Sequence, residues 1–260
     1  MAPDVRVVTF NAAAGNPRIT TRQADFLRLP FYREALESNP GAPLLALQEV
    51  GDEQAAALRR TAAARNGRVL QMRRPKLGNA LVIPDRYLVL SHRRGYYVVP
   101  QVRGILDGLV RRRANWRQFG ELRMWIEARL RDRHAGRDLT LLTTHISADG
   151  SLKVPQTKAI VNRARAAAAR GPVILAGDFN VPARNPRGRD VEAAALIARL
   201  RDVGTAAPPR GRENIDYVLT AGFEPVSSRL WTGDSLSLPG SPNAETVSDH
   251  YAEDDVVRYR

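Results

Sequence analysis

The sequence predicts a mixed α/β fold in which two β-sheets pack face to face with helices outside. Three observations predict it. Short apolar runs of strand length alternate with longer helical stretches along the whole chain. Some strands follow one another as hairpin-like pairs and others are separated by a helix, so antiparallel and parallel pairing should mix. The Pro/Gly-rich stretches Ala183–Arg189, Gly204–Arg212 and Thr232–Val247 read as surface loops, and none is a linker. One domain over residues 1–260 is therefore expected.

Taken in order, Val5–Phe10 is β-branched and apolar, a strand. Pro30–Ser38 reads as a short helix with proline in its first turn. Leu44–Gln48 is a second buried strand. Asp52 is placed to cap a helix, Glu53 adds an acid to its first turn, and Ala55–Arg65 runs on to Gly67. Val69–Met72, Ala80–Ile83 and Tyr96–Val99 are short strand candidates. Leu122–Leu130 alternates most clearly: Leu122, Met124, Ile126, Ala128 and Leu130 share one face, Arg123, Trp125, Glu127 and Arg129 the other. Leu139–Thr144 follows as a strand. Lys153–Arg170 is helical and stops at Gly171-Pro172. Val173–Gly177 is a strand, Asp190 is placed to cap a helix through Arg201, and Ile215–Leu219 and Val256–Tyr259 are the last strands.

Composition narrows the chemistry. The 260 residues contain no cysteine, which excludes a disulfide framework, a thiolate nucleophile and Cys-ligated metal sites. Any metal must sit on oxygen or imidazole ligands. No apolar run is long enough to span a membrane. The Ala2-Pro3-Asp4 start fits a mature secreted terminus or a cytoplasmic one equally. Forty basic against 27 acidic residues leave a net charge of +13, which favours an anionic partner, phosphate first. All but three of the basic residues (Lys76, Lys153, Lys158) are Arg, a pattern that a coding bias toward Arg and Ala would also produce. The placement of the charge is more informative. Residues 54–84 carry Arg59, Arg60, Arg65, Arg68, Arg73, Arg74 and Lys76 with no acid. Residues 103–117 carry Arg103, Arg111, Arg112, Arg113 and Arg117 against Asp107 alone.

The chemistry lies at the strand ends. Predicted strands run into Asn11, Glu49, His145 and the stretch Asp178-Phe179-Asn180. Asp216 interrupts an apolar strand, and Ser248-Asp249-His250 precedes the last one. Ligands of α/β sheets bind outside strand ends, so residues far apart in sequence can converge there. Four carboxylates (Glu49, Asp178, Asp216, Asp249) with few imidazoles suit Mg²⁺, with Mn²⁺ or Ca²⁺ as alternatives, rather than zinc. Asp216 within an apolar strand needs a partner, because a buried unpaired carboxylate costs several kcal/mol; a histidine would serve.

These motifs resemble the endonuclease/exonuclease/phosphatase superfamily, the DNase I-like or exonuclease III-like proteins. The matching residues are Thr9-Phe10-Asn11, Leu47-Gln48-Glu49, Gly78-Asn79-Ala80, Thr144-His145, Gly177-Asp178-Phe179-Asn180, Ile215-Asp216-Tyr217 and Ser248-Asp249-His250, in the family's order, with Gln156 on the helix after His145. The resemblance implies a four-layer α/β/β/α sandwich and divalent-metal-dependent phosphoester hydrolysis. It implies Glu49 as principal metal ligand with Asn11 and Asp249 beside it, Asp216 paired with His250, Asp178 orienting or deprotonating the attacking water, and Asn180 and His145 stabilising phosphoryl charge.

Subfamily signatures leave the substrate open. The catalytic tyrosine of abasic-site endonucleases, the aromatic hairpin of bacterial sphingomyelinases and the inositol-phosphatase signature have no counterpart; Val181-Pro182-Ala183-Arg184 follows the Gly-Asp-Phe-Asn strand. The expected activity is a monomeric nuclease acting on DNA or RNA, with Asn79, Arg113 and Arg117 contacting the substrate and Trp116, Tyr96 or Tyr97 stacking on bases. The alternatives are a small-molecule or lipid phosphodiesterase or phosphatase of the same superfamily, and an inactive nucleic-acid-binding module.

Overall fold

The computed structural model describes residues 4–12, 30–36, 41–73, 77–97, 123–183, 185–203, 215–231 and 250–260. The elements are β1 (Val5–Asn11), α1 (Pro30–Leu36), β2 (Leu44–Gly51), α2 (Asp52–Ala63), β3 (Arg68–Arg73), β4 (Leu77–Ile83), β5 (Tyr87–Tyr96), β6 (Met124–Asp132), β7 (Arg137–His145), α3 (Gly150–Ala168), β8 (Val173–Asp178), α4 (Arg189–Val203), β9 (Asp216–Ala221), β10 (Phe223–Trp231) and β11 (Ala252–Tyr259). They form a six-stranded sheet, ordered β10-β11-β1-β2-β4-β3, and a five-stranded sheet, ordered β5-β6-β7-β8-β9. Each sheet is mixed. The pairs β1–β2 and β7–β8 are parallel and the rest antiparallel.

The central strands β1, β2 and β8 are apolar on both faces, and each face meets a different layer. Val5, Val7, Leu44, Ala46 and Leu81 of the first sheet meet Ile126, Leu141, Ile174 and Val218 of the second between the sheets. The outer face of the first sheet, with Val8, Phe10, Leu45 and Leu47, packs on Phe31 and Tyr32 of α1 and Ala55 and Leu58 of α2. The outer face of the second, with Leu142, Leu175 and Leu219, packs on Ile160 and Ala164 of α3 and Ala193 and Ile197 of α4. Three apolar layers separate four layers of secondary structure, the expected α/β/β/α sandwich.

Several expectations need correction. Helix α2 begins at Asp52, not after it: the Gln54 side chain accepts from the Gly51 N–H at 2.9 Å, which makes Gly51 the cap. Asp52 pairs instead with Arg73 at 2.5 Å. Asp190 likewise lies inside the first turn of α4, where it binds Lys153 Nζ at 2.5 Å and ties α3 to α4. Of the strand expected at Tyr96–Val99, Tyr96 closes β5 and Tyr97 lies just past it, while residues 98 and 99 lie outside the described residues. The second half of β5, Ser91-His92-Arg93-Arg94-Gly95, has no apolar alternation because it is the edge of its sheet. Strand β10 escaped prediction because Pro225 sits in it; proline is tolerated on an edge strand, here beside a bulge between Pro225 and Ser227.

Candidate active site

The two parallel pairs carry their C-terminal ends to the same end of the sandwich. Asn11 closes β1, Glu49 lies near the end of β2, and His145 and Asp178 close β7 and β8. Register completes the row. His145 pairs with Asp178, and Asp178 with Asp216 at the start of antiparallel β9, so three functional side chains stand on adjacent strands. His250 reaches them just before β11. Residues spread from position 11 to position 250 are thus brought together by strand order, by the packing of the two sheets and by the short segment before β11.

Two backbone features aim the carboxylates. Glu49 has a φ of 53° beside a register slip between Leu47 and Val50. This left-handed turn rotates its side chain out of the line of β2, a conformation that costs a non-glycine residue about 1–2 kcal/mol. Such strain concentrates at functional positions. At Gly177 the reason is close approach: a Cβ there would stand 2.1 Å from the Thr144 carbonyl oxygen. The absent side chain lets β8 lie against β7 and sets His145 beside Asp178.

The side chains form one connected cluster. Asn11 Nδ2 donates to Asp178 Oδ2 at 2.9 Å and lies 3.5 Å from His250 Nε2. His250 Nδ1 lies 2.9 Å from Asp216 Oδ2, so the buried aspartate finds the histidine partner its position required. His250 Nε2 and His145 Nε2 lie 3.9 and 3.3 Å from Asp178 Oδ2. Asn180, with φ of 49°, directs its backbone N–H to Asp178 Oδ1 at 2.8 Å. Its Nδ2 donates to the Ile146 carbonyl at 2.9 Å and lies 3.3 Å from His145 Nε2. Phe179 anchors this turn edge-on against Tyr217, whose hydroxyl donates to the Val181 carbonyl at 2.7 Å. Gln156 Oε1 accepts from the Ser147 N–H at 2.8 Å and pins the chain just after His145.

Burial raises the Asp178 carboxyl to about 7, and the nearby Asp216 charge adds to the shift. His250, the Asn11 amide and the Asn180 N–H pull the other way and are outweighed. A carboxyl in that range can take a proton near neutral pH.

Glu49 opens on a cavity of about 10 Å³, walled also by Asn79, Arg123 and His145, roughly the room of one water. Its Oε1 lies 3.9 Å from His145 Nδ1 and 4.0 Å from Arg123 Nη1. Asp178, Asp216 and His250 hold ligand atoms within 4.8 Å of one another. Among the described residues, the carboxylates of Glu49, Asp178 and Asp216 with the imidazoles beside them make a donor set of oxygen and nitrogen that fits a hard divalent cation. Asn79 is buried; its Nδ2 donates to the Met124 carbonyl at 3.0 Å, so it joins β4 to β6 as well as walling the cavity.

Sequence reasoning missed Arg123. Alternation along β6 set it on the face away from the core. The structure turns it into the site, with Nη1 2.7 and 2.9 Å from the two ring nitrogens of His145. The available signal was its place at a strand end next to the strand that ends in His145. Tyr97 is not a base-stacking residue. It is buried, with its hydroxyl 2.5 Å from Thr144 Oγ1. Tyr96 is exposed and donates to the Arg73 carbonyl at 2.5 Å. In the first basic stretch Arg59 donates to Gln71 Oε1 at 2.7 Å, while Arg60, Arg65 and Arg68 face solvent. Asp249, Arg113, Trp116 and Arg117 lie outside the described residues.

Solved structures share this architecture. An endonuclease/exonuclease/phosphatase from Bacteroides vulgatus superposes with a TM-score of 0.69 at 16% identity over 99% of each chain. D. rerio TDP2 complexed with a single strand DNA product gives 0.68 at 15% identity over 98% of this chain and 99% of that one. The human Nocturnin catalytic domain with bound sulfate gives 0.67 at 16% over 99% and 94%. At these identities the likeness is one of fold. No curated protein matches the sequence. The family-level match spans residues 8–250, from the strand that ends in Asn11 to His250. A chain that carries those motifs through nearly its whole length and gathers them at one end of this sandwich belongs to the endonuclease/exonuclease/phosphatase family.

Proposed function

We propose that this protein is a divalent-metal-dependent phosphodiesterase that hydrolyses DNA or RNA by attack of an activated water. The observation that carries the reading is the chain Asp216–His250–Asp178, with His250 2.9 Å from Asp216 and 3.9 Å from Asp178 through its opposite ring nitrogens. Asp178, its carboxyl raised to about 7, accepts the proton of the attacking water. Asp216 holds His250 in one orientation, so that its Nε2 faces the scissile phosphate. His145 and Asn180 donate to the phosphoryl oxygens, and Arg123 adds a fixed positive charge beside them.

Glu49, Asn11 and Asp249 would hold Mg²⁺, for which Mn²⁺ or Ca²⁺ could substitute. When bound, the cation neutralises charge that develops on the phosphoryl oxygens. The net charge of +13 supports a nucleic-acid substrate, and so does the similarity of fold to a TDP2 complexed with single strand DNA. Arg113 and Arg117 are the proposed contacts to the phosphate backbone, with Asn79 at the cavity wall.

The test is hydrolysis of plasmid DNA, RNA, sphingomyelin and a chromogenic phosphodiester, each with Mg²⁺ and with EDTA. Metal-dependent cleavage of either nucleic acid is expected. Cleavage of the lipid alone would move the protein to the lipid branch of the family, and no turnover on any of them would end the enzymatic reading.

A further inference from the structure

One residue under the site, a buried amide crosses between the sheets. Gln48 follows Leu44 and Ala46 on the inner face of the first sheet, and none of its surface is exposed. Its Nε2 lies 3.1 Å from Thr143 Oγ1 on β7 of the other sheet, 3.3 Å from Thr9 Oγ1 on β1 and 3.0 Å from the Ala46 carbonyl. Thr9 and Thr143 are also fully buried. Each member of this rung lies one or two residues before a functional side chain: Gln48 before Glu49, Thr9 before Asn11, Thr143 before His145.

A primary amide withdrawn from water gains little for stability even when bonded, and an apolar side chain of the same size would fill the space as well. What the amide adds is direction. Interdigitated apolar side chains set the offset of two sheets through shape, and a hydrogen bond between them adds a directional restraint, here next to the site, as Asn79 does between β4 and β6. The distances between sheets in the site depend on that offset: Asn11 to Asp178 at 2.9 Å and Glu49 to His145 at 3.9 Å. We propose that Gln48 is a positioning residue, a clamp that restrains the offset of the metal-facing side chains on the first sheet against the proton-handling side chains on the second. The inference rests on the phosphodiesterase reading for its kinetic consequence but not for its structural one. Misplacement of reacting groups by about 1 Å costs on the order of 100-fold in rate.

The test uses Gln48→Leu, Thr143→Val and the double variant, assayed on a chromogenic phosphodiester with Mg²⁺. In parallel, imidazole NMR spectra are recorded at fixed pH. The chain has four histidines, and His92 and His134 are exposed and serve as internal references. Both single variants should lose about 10- to 100-fold in kcat at nearly constant KM, and the double variant should lose no more than the worse single. The His145 and His250 resonances should move while those of His92 and His134 stay. Wild-type kcat in both variants with all four resonances unmoved would overturn the clamp, whatever happened to the melting temperature. If the wild type itself hydrolyses nothing, the phosphodiesterase reading fails, and the histidine spectra alone decide the clamp.

Discussion

Asn11 and Asp178 stand 167 positions apart in the chain and 2.9 Å apart in space, joined across the gap between the two sheets. The bond ties a residue proposed to face the metal to the residue proposed to take the proton. It also keeps Asp178 fixed although its carboxyl is raised to about 7. Replacing Asp178 with Ala should therefore remove the base without removing the cation site. Turnover should fall by about 10²–10⁴, and calorimetric Mg²⁺ affinity should stay within a few-fold of wild type. Lost Mg²⁺ binding would mean that Asp178 is a ligand instead.

Gly177 is predicted to be intolerant of any side chain. In Gly177→Ala the new Cβ would stand 2.1 Å from the Thr144 carbonyl, and the obstacle is backbone, which cannot swing aside. Strands β7 and β8 must separate. The cost should be about 1–3 kcal/mol, which is several degrees of melting temperature for a chain of this length. An unchanged melting temperature would show that the strands have slack the register does not suggest.

The architecture was legible because β1, β2 and β8 at its centre are apolar on both faces, and short apolar runs between turn signals survive any surface composition. Among the described strands, the edge strands β5 and β10 were not, although the edge strands β3 and β9 were. Strand β5 loses its alternation at Ser91-His92-Arg93-Arg94, and β10 contains Pro225, because a strand with one neighbour need not be apolar or donate every N–H. The site was legible for a different reason. A polar residue at the end of an apolar run, such as His145 or Asp178, has no packing role to explain it. Arg123 was illegible by the same logic, since it continued a polar face that solvent already accounted for. The left-handed turn at Glu49 left no mark either, because nothing in a Leu-Gln-Glu-Val run announces a positive φ.

That turn yields its own prediction. If the φ of 53° is held only to aim the carboxylate, Glu49→Gly should relieve strain while it abolishes activity. The left-handed conformation costs a side-chain-bearing residue about 1–2 kcal/mol. The greater freedom of glycine in the unfolded chain takes back roughly 0.5–1 kcal/mol of the relief. Thermal unfolding should show a melting temperature equal to or slightly above wild type, with Mg²⁺-dependent turnover lost. A clear drop in melting temperature would mean that Glu49 contributes to the fold as well as to the site.

Far from the site, Arg86 and Asp132 form a buried pair that should govern stability in acid. Their side chains are 4% and 0% exposed. Arg86 Nε and Nη2 reach the two carboxylate oxygens at 2.9 and 2.5 Å, and the His134 and Ala135 N–H groups donate to Oδ1 at 3.0 and 3.2 Å. Burial alone would raise the Asp132 carboxyl; the Arg86 hydrogen bonds and charge outweigh it, and the net shift is downward. A carboxyl held lower in the folded state than in the unfolded one stabilises the fold above the unfolded value, about 3.9. That contribution fades as pH falls through this value toward the lower folded one. Denaturant unfolding at pH 7 and at stepwise lower pH should therefore show stability declining on the acid side of pH 5. Asp132→Asn should cost about 3–5 kcal/mol at neutral pH by stranding the Arg86 charge, and its stability should decline less steeply in acid. Parallel acid profiles for the two proteins would exclude Asp132 as a source of the decline.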